Sequence, residues 1–143
     1  MTGSRAHSTR AAVTHDLRDA DYRRLLAFRT ELRQFLRWSE EQAEAEGLTP
    51  TQHQLLLAIR GSDERDGPTV GDVARLLLIR HHSAVGLVDR AVDAGYVRRR
   101  RDPDDHRVVR LHLTADGARR LARLSRHHLE ELGRLNRGVL AGW

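Results

Sequence analysis

Apolar residues recur along this chain with helical spacing in five stretches and with two-residue spacing in one. Between about Asp16 and Glu46 no glycine or proline interrupts the sequence, and Leu17, Leu25, Leu26, Phe28, Leu32, Phe35, Leu36 and Trp38 stand among charged residues. That pattern predicts one long helix ending at Gly47, a residue suited to a left-handed C-cap. Thr49, Pro50 and Gln52 then form a start signal: a hydroxyl to cap, a proline at the first helical position and an amide that can reach back. A short helix to about Arg60 follows, and the stretch GSDERDGP from Gly61 to Pro68 reads as a polar loop.

Thr69 restarts the helical period with Asp72 in capping-box register, and Val70, Val73, Ala74 and Leu77 make one apolar face. A break at Leu78, Ile79 and Arg80 leads into a helix from about His82 to Ala94, closed by Gly95. Its expected buried stripe is Val85, Val88 and Val92, flanked by Ala84, Leu87 and Ala91. Two short helices separated by a tight break are a helix-turn-helix unit. Beyond Gly95 the period drops to two residues: Tyr96 to Arg101 predicts one strand, Asp102 to Asp105 a turn, and Arg107 to Leu113 the returning strand. Thr114 caps a last helix, with Asp116 in its first turn, expected to run to about Ala141 through Leu121, Leu124, Leu129, Leu132, Leu135 and Val139. The fold class is therefore mainly α with a small basic β-hairpin.

The 143 residues suffice for the core of one domain. Residues 1–15 lack the apolar centre of a signal peptide and read as a flexible arm, and no stretch is apolar enough to span a membrane, so a cytoplasmic protein is expected. Cysteine is absent, which removes disulfides and thiolate chemistry. The net charge is +5, and all 25 basic residues are arginine. An arginine-for-lysine bias also follows from GC-rich coding, so the placement of the charge says more than its amount.

In their shared order, LTPTQHQLL, TVGDVARLL, VDRAVDAGYVRR and DPDDHRVVRLHLT followed by Ala115, Asp116 and Gly117 resemble the multiple antibiotic resistance regulator (MarR) family. The resemblance covers about Leu48 to Gly117. It implies a winged helix-turn-helix over residues 48–114 in a single domain of residues 16–143, with residues 16–47 and 115–143 as dimerisation helices. It further implies a homodimeric transcription regulator, most simply a repressor, gripping a pseudo-palindromic stretch of double-stranded DNA and modulated by a small aromatic or other organic effector. Ala91 stands where the family usually has leucine, and His106 where a second arginine is common.

A helix in the major groove reads bases with exposed residues near its N-terminus, where free N–H groups can also meet a phosphate. Arg80, His81, His82 and Ser83 occupy that end. Arg80 and His82 are expected to carry base preference and Ser83 to meet a phosphate. Gly86 would permit close approach, and Arg90 is expected on the DNA backbone or a neighbouring acid. In the hairpin, alternation separates Arg98 and Arg100 from Arg99 and Arg101, so at least two of the four bind no DNA. Arg98, Arg100 and Arg110 join the candidate wing set with His106. The resemblance assigns Arg107 to the minor groove and Asp105 to holding it.

Trp38, His53 and Arg60 are candidates for an effector pocket, although each has an ordinary structural use. The histidines offer no i, i+4 pair for a metal: His127 and His128 diverge on a helix, as do His81 and His82, so neither metal nor other cofactor is expected. No phosphate-cradling glycine loop, nucleophile elbow or HExxH helix is present, which argues against an enzyme. A winged module that binds protein, or a nonspecific nucleoid-type DNA binder, stands as the alternative.

Overall fold

A computed structural model describes residues 16–136. Five helices and one hairpin follow in chain order: α1 (Asp19–Ala45), α2 (Pro50–Gly61), α3 (Val70–Leu77), α4 (His81–Asp93), β1 (Val97–Arg101), β2 (Val109–Leu113) and α5 (Ala115–Asn136). The expected end of the last helix, including Val139 and Ala141, lies outside the described residues.

Local signals set the boundaries. Thr49 accepts from the Gln52 amide at 3.1 Å while its own amide donates to Gln52 Oε1 at 3.0 Å. Thr69 and Asp72 repeat the exchange at 3.1 and 2.9 Å, satisfying first-turn donors that a helix start otherwise leaves open. Gly95 closes α4 at φ +82°. Thr114 accepts from the Gly117 amide at 3.1 Å and donates to the Gly95 carbonyl at 2.6 Å. Gly117 itself is obligatory, since a Cβ there would stand 2.2 Å from the Tyr96 carbonyl oxygen. The turn of the helix-turn-helix is unusual: Leu78 adopts φ +56° and is 92% exposed. A left-handed non-glycine residue costs roughly 1–2 kcal/mol.

The core lies where α2, α3, α4, the hairpin and the first turns of α5 meet. Leu55, Leu56, Val73, Val88, Val97, Leu111 and Leu124 are fully enclosed there. The buried face of α4 is Ala84, Leu87, Val88 and Ala91, which corrects the expected stripe: Val85 is 36% exposed and Val92 only half-buried. The helix is rotated so that small Ala84 and Ala91 admit the close approach of neighbouring elements. The second strand also starts later than expected, because Arg107 and Val108 remain in the turn, their amides donating to Asp105. β1 and β2 pair antiparallel with Arg99 opposite Leu111 and Arg100 opposite Arg110. A bond from the Leu111 amide to the Pro68 carbonyl at 2.8 Å ties the hairpin to the connector before α3.

Among the described residues α1 joins this core only near its end, through Ala43. Leu25, Leu26 and Leu36 on α1, and Leu129 and Leu132 on α5, are exposed. No described helix is long and apolar enough to cross a membrane.

Candidate nucleic-acid interface

The buried side of α4 determines what its other side presents. At 100° per residue, His82, Gly86, Asp89, Arg90 and Asp93 fall opposite Ala84, Leu87, Val88 and Ala91. Arg80 is the N-cap residue and offers no side-chain cap. The amides of His81, His82 and Ser83 consequently have no acceptor among the described residues, leaving a positive dipole end open to an anion. Arg80, His81, His82 and Ser83 are all exposed. Gly86 has a specific use: the Arg90 guanidinium lies 3.2 Å from where a Cβ would stand. Arg90 therefore folds back along the outward face and meets no acid among the described residues. The neighbouring acid, Asp89, is taken by Arg99 of β1.

The wing is organised around two aspartates. Asp102 accepts the Asp104 and Asp105 amides at 2.8 and 2.9 Å and pairs with Arg110 at 2.8 Å. These amides, Asp105 first, and Arg110 hold its carboxyl below the usual carboxylate range. Asp105 in turn accepts both the Nε and Nη2 of Arg107, at 3.0 and 3.1 Å, and Arg107 likewise keeps the Asp105 carboxyl low. This bidentate grip leaves the Arg107 side chain 90% exposed at the hairpin tip, beside exposed His106. Arg101 braces the same turn by donating to the His106 carbonyl at 2.9 Å.

Not every wing candidate joins this surface. Arg110 is a correction: its side chain is only 21% exposed, and besides Asp102 it donates to the Gly67 carbonyl at 3.2 Å and approaches Glu64 at 3.7 Å. Its charge is spent fastening the wing to the α2–α3 connector. Arg98 lines a groove facing that connector, away from the tip, while Arg100 is exposed on the same strand face.

Trp38 and His53 come together where α1, α2 and α5 meet, and Arg60 does not join them. The joining residue is His128, whose ring centroid lies 4.8 Å from Trp38 and 4.9 Å from His53. Its Nε2 is 2.7 Å from Ser39 Oγ and its Nδ1 is 2.7 Å from the Leu124 carbonyl. Because a carbonyl only accepts, Nδ1 carries a proton. His53 is 7% exposed, and burial, reinforced by His128, lowers its pKa. Adjacency on the helix does not distinguish His128 from His127; only the docking of α5 on α1 and α2 separates their surroundings. No cluster of metal-ligating side chains occurs among the described residues.

Residues 46–108 match the model of the MarR family. A MarR family protein from Bacillus stearothermophilus has the same fold, with 25% identity and a TM-score of 0.68 over 83% of this chain and 79% of that one. CouR from Rhodococcus jostii RHA1, solved with p-coumaroyl-CoA, is 24% identical with a TM-score of 0.69 over 83% and 81%. A Staphylococcus aureus MepR mutant, solved bound to an oligodeoxyribonucleotide, is 19% identical with a TM-score of 0.65 over 79% and 81%. The LexA repressor of Magnetococcus marinus is 39% identical over 56 residues, 38% of this chain but only 24% of that protein. Residues 46–108, which hold the helix-turn-helix and the wing turn, thus match the MarR family of DNA-binding winged helix-turn-helix transcription regulators, and the fold around them is the one these solved MarR structures share.

Proposed function

We propose that this regulator is a homodimeric, cytoplasmic repressor that binds a pseudo-palindromic operator and is released by a small organic effector. The observation that carries the reading is the pairing of an open α4 N-terminus with Arg107, which Asp105 holds outward at the wing tip. Arg80 and His82 read base edges, Ser83 and the free amides receive a phosphate, and Arg107 enters the adjacent minor groove. α1 and α5 supply the dimer interface: their exposed leucines are more apolar surface than a lone chain readily leaves in water. Two copies then present two reading helices to half-sites about one helical turn apart.

The junction of Trp38, His53 and His128 is the effector site of this proposal. It joins α2 of the DNA-binding region to α1 and α5, so a ligand entering there shifts one against the other. The structure of CouR, of the same fold and solved with p-coumaroyl-CoA, supports an organic effector. Footprinting on the intergenic DNA beside the chain's own gene tests the operator, and sedimentation tests the dimer. A protected pseudo-palindrome and a dimer at micromolar concentration are expected; unprotected DNA or a monomer refutes the proposal.

A further inference from the structure

A groove of about 490 Å³ lies between the end of α2, the connector at residues 62–67, β2 and the start of α5. Its apolar lining is half-buried Leu113, exposed Ala118 and the edge of buried Ile59, above the enclosed Leu111. Arg60, Arg65 and Arg98 line the same groove. All three are exposed, and none has a hydrogen bond or ion pair among the described residues. This sets Arg98 apart from Arg99, Arg101, Arg107 and Arg110, each of which has a partner inside the protein.

Two acids stand on the rim, and they do not balance this charge. Glu64 is shared with Arg110 at 3.7 Å, which leaves Asp63 alone against three arginines. A cationic rim over an apolar floor selects for an anion with an apolar body, and the planar fork of arginine fits a carboxylate. The groove volume lies within the usual range for small-molecule sites, about 300–1,000 Å³.

We propose that this groove binds a small organic carboxylate, with the carboxylate held by Arg65 and Arg98 and the apolar body laid on Leu113, Ala118 and the edge of Ile59. The site is separate from the Trp38, His53 and His128 junction, since no residue lines both. It also stands apart from the DNA-binding reading, because its test requires no DNA. Arg60, expected from sequence to serve the junction, belongs to this second groove.

The test titrates naphthoate onto the full chain and follows backbone amide NMR. Saturable shifts are expected at Ile59, Arg65, Arg98 and Leu113, with Trp38 and His53 unmoved. R65A, in a surface loop, and the double variant R65A/R98A should each weaken naphthoate, the double variant by about tenfold or more, while thermal melting confirms that both remain folded. The neutral alcohol naphthylmethanol should bind the unaltered chain more weakly by a similar factor. Shifts confined to Trp38 and His53, undiminished affinity in R65A, or no saturable shift at millimolar naphthoate would overturn the proposal. Inorganic phosphate binding as tightly as naphthoate would also overturn it, by showing that the apolar floor contributes nothing.

Discussion

The wing tip and the start of α4 both present exposed cations, but they hold them in opposite ways. At the wing, Asp105 grips Arg107 through two nitrogens, and Asp102 fixes the turn that carries both. At α4, Arg80, His81 and His82 have no partner among the described residues, and Arg90 rests only over Gly86. A pre-organised cation loses little freedom on binding and fits an invariant target such as a narrow minor groove. Free side chains lose rotamer entropy but can adapt to different base edges. In the proposed complex with DNA the wing would therefore serve affinity and the helix discrimination.

Asp102→Ala should have the largest effect. It removes the acceptor of two turn amides and leaves Arg110 without its closest partner, so the wing loses its order and Arg107 its position. A lowered melting temperature and weakened binding to every duplex are expected by calorimetry and fluorescence anisotropy; unaltered stability would deny Asp102 this role. Arg107→Ala should act on affinity alone. Binding to all sequences falls and the slope of log K against log salt drops by about one, whereas an unchanged slope would take Arg107 off the phosphates and groove.

The reading helix should respond differently. Arg80→Ala or His82→Ala should flatten base preference at single positions of each half-site, with about 1–3 kcal/mol of discrimination at stake for a good bidentate contact. Uniform weakening across a substituted operator series would instead make these residues phosphate contacts. Gly86→Ala sharpens the point, since the new methyl displaces the Arg90 guanidinium while improving helix propensity by roughly 1 kcal/mol. Raised stability with altered base preference is the expected combination.

Acid separates the regions by pH. His53 is depressed from its ordinary 6.5, so the folded junction favours neutral imidazole: its contribution is complete above about 6.5 and declines as pH falls through the lower folded value. Asp102 and Asp105 are depressed from 3.8, so the wing keeps their contribution until pH drops below that point. Amide exchange should therefore show the α1, α2 and α5 junction loosening before the hairpin, and His53→Gln should remove the earlier step. The smallest effect belongs to Leu78→Gly, which relieves the left-handed strain and should stabilise the chain by about 1 kcal/mol without changing DNA affinity.

Much of this could be read in one dimension. The capping pairs Thr49 with Gln52 and Thr69 with Asp72, the stop at Gly95 and the grip of Asp105 on Arg107 all join residues two or three apart or depend on one residue's backbone freedom. Such interactions are local, so the element order followed from the order of residues, while the grip of Asp105 on Arg107 came from what the family resemblance implied. Alternation likewise separated the hairpin arginines correctly into two sets.

The remaining assignments needed contacts between distant segments. Whether an arginine is free or spent depends on which acid the fold brings beside it: Arg110 meets Asp102 and Gly67, and Arg99 meets Asp89. His128 is told from His127 only once α5 lies against Trp38 and His53, and for the same reason only the fold shows that Arg60 stands apart from that pair. Sequence alone determined the helices and the turn chemistry, because hydrophobic period and short-range hydrogen bonds are local, and its motifs carried the family resemblance. Tertiary structure decided which charges remain available, because pairing and burial are properties of surfaces that exist only once the chain has folded.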